Sequence, residues 1–535
     1  MKAPTLTAIS GRRALLALAA ALLAMLACSR SDVPPPRGIG SGGEPPQAQP
    51  LPTLLQDPPA VTTAPPLPAE LPTLEPPSTE TPAAPEPVVS PTYPPTPTLV
   101  RGAGSESVAY RSQPGDALRT VAVRFGVLPE DIAVSGGGPP AEGNLLDPDT
   151  LLVIPRRLGA TGPAEQVIPD SEVVYSPNAA EFDVSAFVEQ SGGYLRRYRE
   201  TVSGRSRTGA EVVELAARDH SVNPRLLLAF LEYYAGWVTD AKQPVAQEFR
   251  YPLGHFAPEA QGLYRQLAWL SNALGDGYYG WRDGSLTELV FPDSSIVRLA
   301  PELNAGTIAL QYFFSRRIQG RQWAEAVSAD GLMATYRRLF GDPFGYYHPL
   351  YEIGLQQPDL ILPFLPGRIW AFTGGPHGAW ERESAWAALD FAPSSLLPGC
   401  APSEDWVVAS APGLVVRSDV GVVVLDLDGD GREQTGWTLI YLHIGSHGRV
   451  AEGALVQQGD LLGHPSCEGG IATGTHVHFS RKYNGEWILA DGPIPFELSG
   501  WVAQGGIKPY QGALVKDGQA VLACACASYV TYISR

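Results

Sequence analysis

Two histidines stand one residue apart in Thr475-His476-Val477-His478-Phe479. Side chains at i and i+2 of an extended strand point to the same face, so a strand here presents two imidazoles together. The surrounding sequence reads the same way. Short apolar-rich segments recur at Trp406 to Ser410, Gly413 to Arg417, Gly421 to Asp426, Trp437 to Ile444 and Val456 to Leu462, with turns such as Gln458-Gly459-Asp460 between them. The last third of the chain is therefore expected to be an antiparallel β domain.

Of nine histidines, His377, His443, His447, His464, His476 and His478 all fall in this region. Tyr441-Leu442-His443 supplies an imidazole from the end of another strand, His377 follows the strand-like Trp370 to Gly375, and Asp390 adds a carboxylate within Ala388-Leu389-Asp390-Phe391. Two His and one Asp with a fourth position open suit a catalytic zinc ion, whereas a structural zinc is closed by four ligands. None of the five cysteines has zinc-ligand spacing.

The order His377, Asp390, Tyr441-Leu442-His443 and His476-Val477-His478-Phe479, with Ile471-Ala472-Thr473-Gly474 before the histidine pair, resembles the lysostaphin/LytM zinc endopeptidases over residues 365–495. The interval from His377 to Asp390 is longer than in many members. The resemblance implies one catalytic zinc held by His377, Asp390 and His478. It also implies that His476 takes a proton from the attacking water, and that His443 stabilises the oxyanion or donates a proton. The implied substrate is the peptide cross-link of bacterial peptidoglycan. His447 and His464 match nothing in that pattern and are expected at the surface.

At 535 residues the chain exceeds one core. Lys2, Arg12 and Arg13 precede an apolar run from Ala14 to Ala27, which is short for a membrane span. Residues 1–28 are expected to be an export signal. Met25-Leu26-Ala27-Cys28 resembles a bacterial lipoprotein box, so Cys28 is the candidate lipidation site and a lipid anchor the candidate membrane contact. Residues 29–105 carry much of the excess of 52 prolines and almost no aromatics, and are expected to form a disordered tether.

Residues 107–156 read as strand, helix, helix, strand, with Asp116 as the first helix N-cap and Leu151 to Pro155 as the closing strand. Their G-D-A-L, F-G-V and L-L-V-I-P segments resemble a LysM domain, which implies binding to the glycan of peptidoglycan. Residues 182–345 are expected to be mostly helical: Thr208-Gly209-Ala210-Glu211 is a capping box, and Asn223-Pro224 opens another helix. Ala235-Gly236-Trp237 faintly resembles a lysozyme-like transglycosylase, but Glu232 stands two residues too early to be its acid, so a binding or spacer module is favoured. Residues 500–535 form a C-terminal extension without an assigned role.

Cys400 and Cys467 flank the candidate site and are expected to pair in an oxidising compartment, while the close pair Cys524 and Cys526 is left open. Asp426, Asp428 and Asp430 look like the front half of a calcium loop, with Trp437 where a full EF-hand needs Glu; an acidic hairpin tip is the plainer reading. A formal charge of −17 argues against nucleic acid as a partner.

The expected architecture is thus multidomain: a Pro-rich tether, a small βααβ unit, a central mostly α domain and a C-terminal antiparallel β metallopeptidase domain. The expected function is that of an exported zinc-dependent endopeptidase of the cell envelope. The alternative is a non-catalytic peptidoglycan-binding or regulatory protein on the same scaffold.

Overall fold

The computed structural model describes residues 106–134, 145–380, 385–394, 399–526 and 528–535. The export signal, Cys28 and the tether lie outside the described residues. No described helix is long and apolar enough to cross a membrane.

The small N-terminal unit contains β1 (Ser107–Arg111), α1 (Leu118–Phe125), β2 (Ala133–Val134) and β3 (Leu151–Pro155), in a sheet ordered β1-β3-β2. The second expected helix is only a 3₁₀ turn, Pro129–Asp131. Asp116 is not the N-cap, which falls on Ala117. Its carboxylate is buried instead, accepting from Tyr110 Oη (2.6 Å) and Arg124 Nη1 (2.6 Å). Arg124 in turn reaches across to Trp281 O in the helical region.

The central region contains α2 (Val184–Ser191), β4 (Arg199–Val202), β5 (Arg205–Thr208), α3 (Gly209–His220), α4 (Pro224–Ala235), α5 (Ala246–Arg250), α6 (Leu263–Asp283), β6 (Glu288–Val290), β7 (Ile296–Arg298), α7 (Ala305–Ser315), α8 (Gly320–Ala326) and α9 (Leu332–Phe340). Helices dominate, with two small hairpins, β4-β5 and β6-β7. The capping box forms: Glu211 N donates to Thr208 Oγ1 (3.1 Å) and Thr208 N to Glu211 Oε2 (2.6 Å). Asn223 caps α4 through Arg225 N (2.9 Å). Glu232 is occupied structurally. Its carboxylate accepts from Val238 N, Thr239 N and Thr239 Oγ1 and pairs with Arg338, so it is spent on closing the turn after α4.

The C-terminal region is the expected antiparallel β structure: β8 (Ile369–Gly378), β9 (Trp386–Pro393), β10 (Val407–Val408), β11 (Gly413–Asp419), β12 (Gly421–Asp426), β13 (Trp437–Ile444), β14 (Leu455–Val456), β15 (Leu461–Gly463), β16 (Val477–Tyr483), β17 (Glu486–Trp487), β18 (Glu497–Leu498), β19 (Trp501–Gly505), β20 (Gly512–Lys516), β21 (Gln519–Leu522) and β22 (Tyr532–Ser534). The main sheet runs β14-β11-β12-β13-β16-β9-β8-β22, with β17 on β16. The segment 500–535, set apart in the sequence, is part of this region. It supplies three strands of the β18-β19-β20-β21 sheet, and β22 pairs along β8.

Alternation in the strands separates two cores. Val423, Leu425, Leu439, Tyr441, Val477 and Phe479 point into the β domain's own interior. Val422, Val424, Ile440 and Leu442 point the other way, into a core shared with the helices. Two reciprocal buried ion pairs cross this boundary. Arg417 on β11 meets Asp219 on α3 at 2.7 Å, and Arg282 on α6 meets Glu486 on β17 at 2.9 Å. Lys482 and Arg417 share Glu433 on the β side.

Candidate metal centre

Four neighbouring strands bring the residues together. In the main sheet β13, β16, β9 and β8 lie side by side, carrying His443, His478, Asp390 and His377 in that order. His478 pairs directly with Asp390, Leu442 with His478, and His377 with Ala388. His478 and Asp390 each sit between residues that point into the β interior, so they project to the opposite face. Irregular register around Gly374 and His377 turns β8 so that His377 reaches the same cluster. Gly374 is required by crowding: a Cβ there would lie 2.6 Å from Asp390 Oδ2.

The ligand atoms of His377, Asp390 and His478 converge, and all three residues are buried. His377 Nε2 lies 3.0 Å from His478 Nδ1, and Asp390 Oδ1 lies 3.3 Å and 3.2 Å from those two nitrogens. Ligands on a tetrahedral zinc at about 2.1 Å stand about 3.4 Å apart, so the donor set fits that ion.

The other ring nitrogens settle the tautomers. His377 Nδ1 donates to Gly375 O at 2.8 Å, and His478 Nε2 donates to Ala379 O at 2.9 Å. Each ring, when neutral, therefore aims a bare lone pair at the cluster, the arrangement by which backbone carbonyls orient metal-binding histidines. Asp390 Oδ1, buried, takes no conventional hydrogen bond.

Electrostatics point the same way. Burial pushes the Asp390 carboxyl up, but the imidazoles of His377 and His476 outweigh it and hold the group well below the usual carboxylate range. Burial disfavours charge on His377, yet Asp390 prevails and makes that imidazole more basic than usual. The cluster is a place that wants positive charge.

His476 and His443 flank the three. His476 Nε2 lies 3.8 Å from Asp390 Oδ1, and the rings of His443 and His476 are 4.5 Å apart. Both give their Nδ1–H to a backbone carbonyl, His443 to Glu468 (2.9 Å) and His476 to Gly474 (2.7 Å), leaving Nε2 available. Burial, with the neighbouring His476 and His478, lowers the His443 pKa to about 4. His443 also has a left-handed backbone, φ +62°. His447 is exposed as expected, and the half-buried His464 stacks on Trp406, away from the five.

One neighbour was not legible in the sequence. Tyr510, in the turn between β19 and β20, stacks on His377 with ring centroids 4.1 Å apart, and its carbonyl accepts from Gly375 N. No spacing rule links it to residues more than a hundred positions earlier. Cys400 and Cys467 are joined as expected, and Cys524 is joined to Cys526. Asp426, Asp428 and Asp430 do cluster. Their carboxylates accept from the amides of Asp428, Asp430, Gly431 and Arg432, which is the work of a tight hairpin tip.

A family model described as the N-terminal domain of LasA matches residues 166–350, the helical region. The chain is 26% identical over 348 residues to Protease LasA of Pseudomonas aeruginosa (strain UCBPP-PA14), covering 60% of this chain and 75% of that protein. Among solved structures, the M23 metalloprotease pseudoalterin from the deep sea is 23% identical with a TM-score of 0.26, over 31% of this chain and 96% of that one. The antimicrobial peptidase lysostaphin from Staphylococcus simulans is 17% identical with a TM-score of 0.18, over 31% and 82%.

Proposed function

We propose that this chain is an exported zinc-dependent endopeptidase that hydrolyses peptide cross-links of bacterial peptidoglycan. The observation that carries the reading is the pair of lone pairs facing each other from His377 Nε2 and His478 Nδ1, beside the bare Asp390 Oδ1. Two neutral acceptors and a carboxylate converging in a buried place repel one another unless a cation lies among them. Similarity to Protease LasA supports a peptidase, and the order of the five residues supports the lysostaphin/LytM type.

In this reading His377, Asp390 and His478 would hold zinc, which when bound would supply Lewis acidity and make water a stronger acid. His476 accepts the water proton at Nε2. His443, neutral because its pKa lies near 4, would relay that proton from His476 through its Nε2 to the leaving amine. Glycan binding by residues 107–156, lipidation at Cys28 and residence at the envelope complete the proposal.

The test is digestion of purified peptidoglycan by the full chain, with zinc, with chelator, and with the His478→Ala variant, reading released fragments by mass spectrometry. Cleavage that needs zinc and His478 is expected, and the fragments name the bond. A chain that binds one zinc and cuts no peptide bond in any wall type overturns the peptidase.

A further inference from the structure

His443 carries its imidazole on a left-handed backbone, a conformation that costs a histidine free energy and persists only where the surroundings impose it. Two residues of one short segment, Ser466 and Glu468, hold it there. Ser466 donates to His443 O through both its amide (2.7 Å) and its hydroxyl (2.9 Å). That hydroxyl also accepts from Glu468 N (3.0 Å), and Glu468 O accepts from His443 Nδ1 (2.9 Å). The residue between Ser466 and Glu468 is Cys467, bonded to Cys400.

Both sides of the bridge are themselves fixed. Glu468 Oε1 accepts from Ser446 N (2.9 Å) and Ser446 Oγ (3.1 Å), and its backbone packs so closely on Gly421 that a Cβ there would lie 2.4 Å away. Next to Cys400, Gly399 O accepts from Thr475 N (3.0 Å) and Ala401 O accepts from Thr475 Oγ1 (2.6 Å). Thr475 immediately precedes His476. The disulfide thus links the clamp on His443 to the segment that starts the His476-His478 strand.

We infer that Cys400, Cys467 and Ser466 are positioning residues that hold His443 in one tautomer, with Nδ1 protonated and Nε2 facing the reacting atoms. The consequence for turnover rests on the peptidase reading above; the tautomer does not. Holding a single tautomer keeps the acceptor nitrogen of His443 turned toward the site in every molecule.

The experiment uses the full chain labelled with ¹⁵N-histidine, in metal-free form near pH 7.5, and reads the imidazole tautomers from long-range ¹H–¹⁵N spectra. In the unaltered protein His443 shows protonated Nδ1 and bare Nε2. In Cys400→Ser/Cys467→Ser and in Ser466→Ala it shows averaging of the two tautomers, while His377 and His478 keep theirs. Zinc affinity and KM change by less than about threefold, and kcat falls about 10- to 100-fold. An unchanged His443 signature in a folded double variant overturns the inference. If the double variant does not fold, Ser466→Ala, which keeps the disulfide, decides by the same signature. A wild type without peptidase activity counts against the proposed function alone, because the tautomer spectra still decide this point.

Discussion

His377 Nε2 and His478 Nδ1 face each other across 3.0 Å, each having given its other ring N–H to a backbone carbonyl. Full-length chain stripped of metal is expected to take up one zinc per molecule. His377→Ala and Asp390→Asn should each weaken binding by more than about 100-fold, since even the outer partners of metal ligands are worth 10- to 100-fold. Competition titration against a chromophoric chelator measures this. Thermal melting should rise on zinc addition in the wild type and not in the variants.

Gly374 gives a finer probe of the same cluster. The Cβ of a Gly374→Ala variant would meet Asp390 Oδ2 at 2.6 Å, so the carboxylate must turn away. Zinc affinity is expected to fall about tenfold or more, as for loss of a supporting contact. Circular dichroism should remain that of the folded chain. An affinity equal to wild type would show that Asp390 contributes no ligand.

The boundary between helices and sheet is held by charge as well as by apolar packing. Asp219→Ala leaves Arg417 with Glu433 alone, which Lys482 also uses, so positive charge is left in excess in a buried place. The expected loss is about 3 kcal/mol, near the lower end for breaking a buried pair because one partner remains. Urea unfolding of the full chain measures it. Asp219→Asn/Arg417→Met should recover part of the loss.

Glu433 sets an acid limit. Burial pushes its carboxyl up, but Arg417 and Lys482 overcome this and hold it below the usual glutamate range. A carboxylate whose folded pKa is depressed stabilises the fold above its unfolded pKa, about 4.5, and that contribution is lost as pH falls through the folded value. Stability should therefore decline below pH 4.5, and Glu433→Gln should flatten that part of the curve while lowering stability at pH 7. Urea midpoints between pH 3 and pH 7 are the readout.

How far the molecule could be read from its sequence depends on the range of the interaction. The period-two run around His476 and His478 placed both side chains on one face, and local capping at Thr208 and Asn223 marked two helix starts, because these signals lie within a few residues. Asp116 misled for the opposite reason. An acid beside a helix start looks like a cap, but here a tyrosine and an arginine from neighbouring elements claim it. Nothing close in sequence to Lys482 or Arg417 marks their strand face as one that meets the helices; only the tertiary fold shows it. The contribution of residues 500–535 was illegible likewise, since strand pairing between distant segments leaves no local mark.

That pairing has a consequence for the time at which the molecule becomes competent. Strand β8, which carries His377, has β9 on one side and β22 on the other, with Ala371 opposite Tyr532. A ribosome reaches His377 long before it reaches Tyr532, so the nascent β8 must wait with one edge unzipped. The strand that carries His377 thus keeps one edge open at least until residues 532–534 have been made.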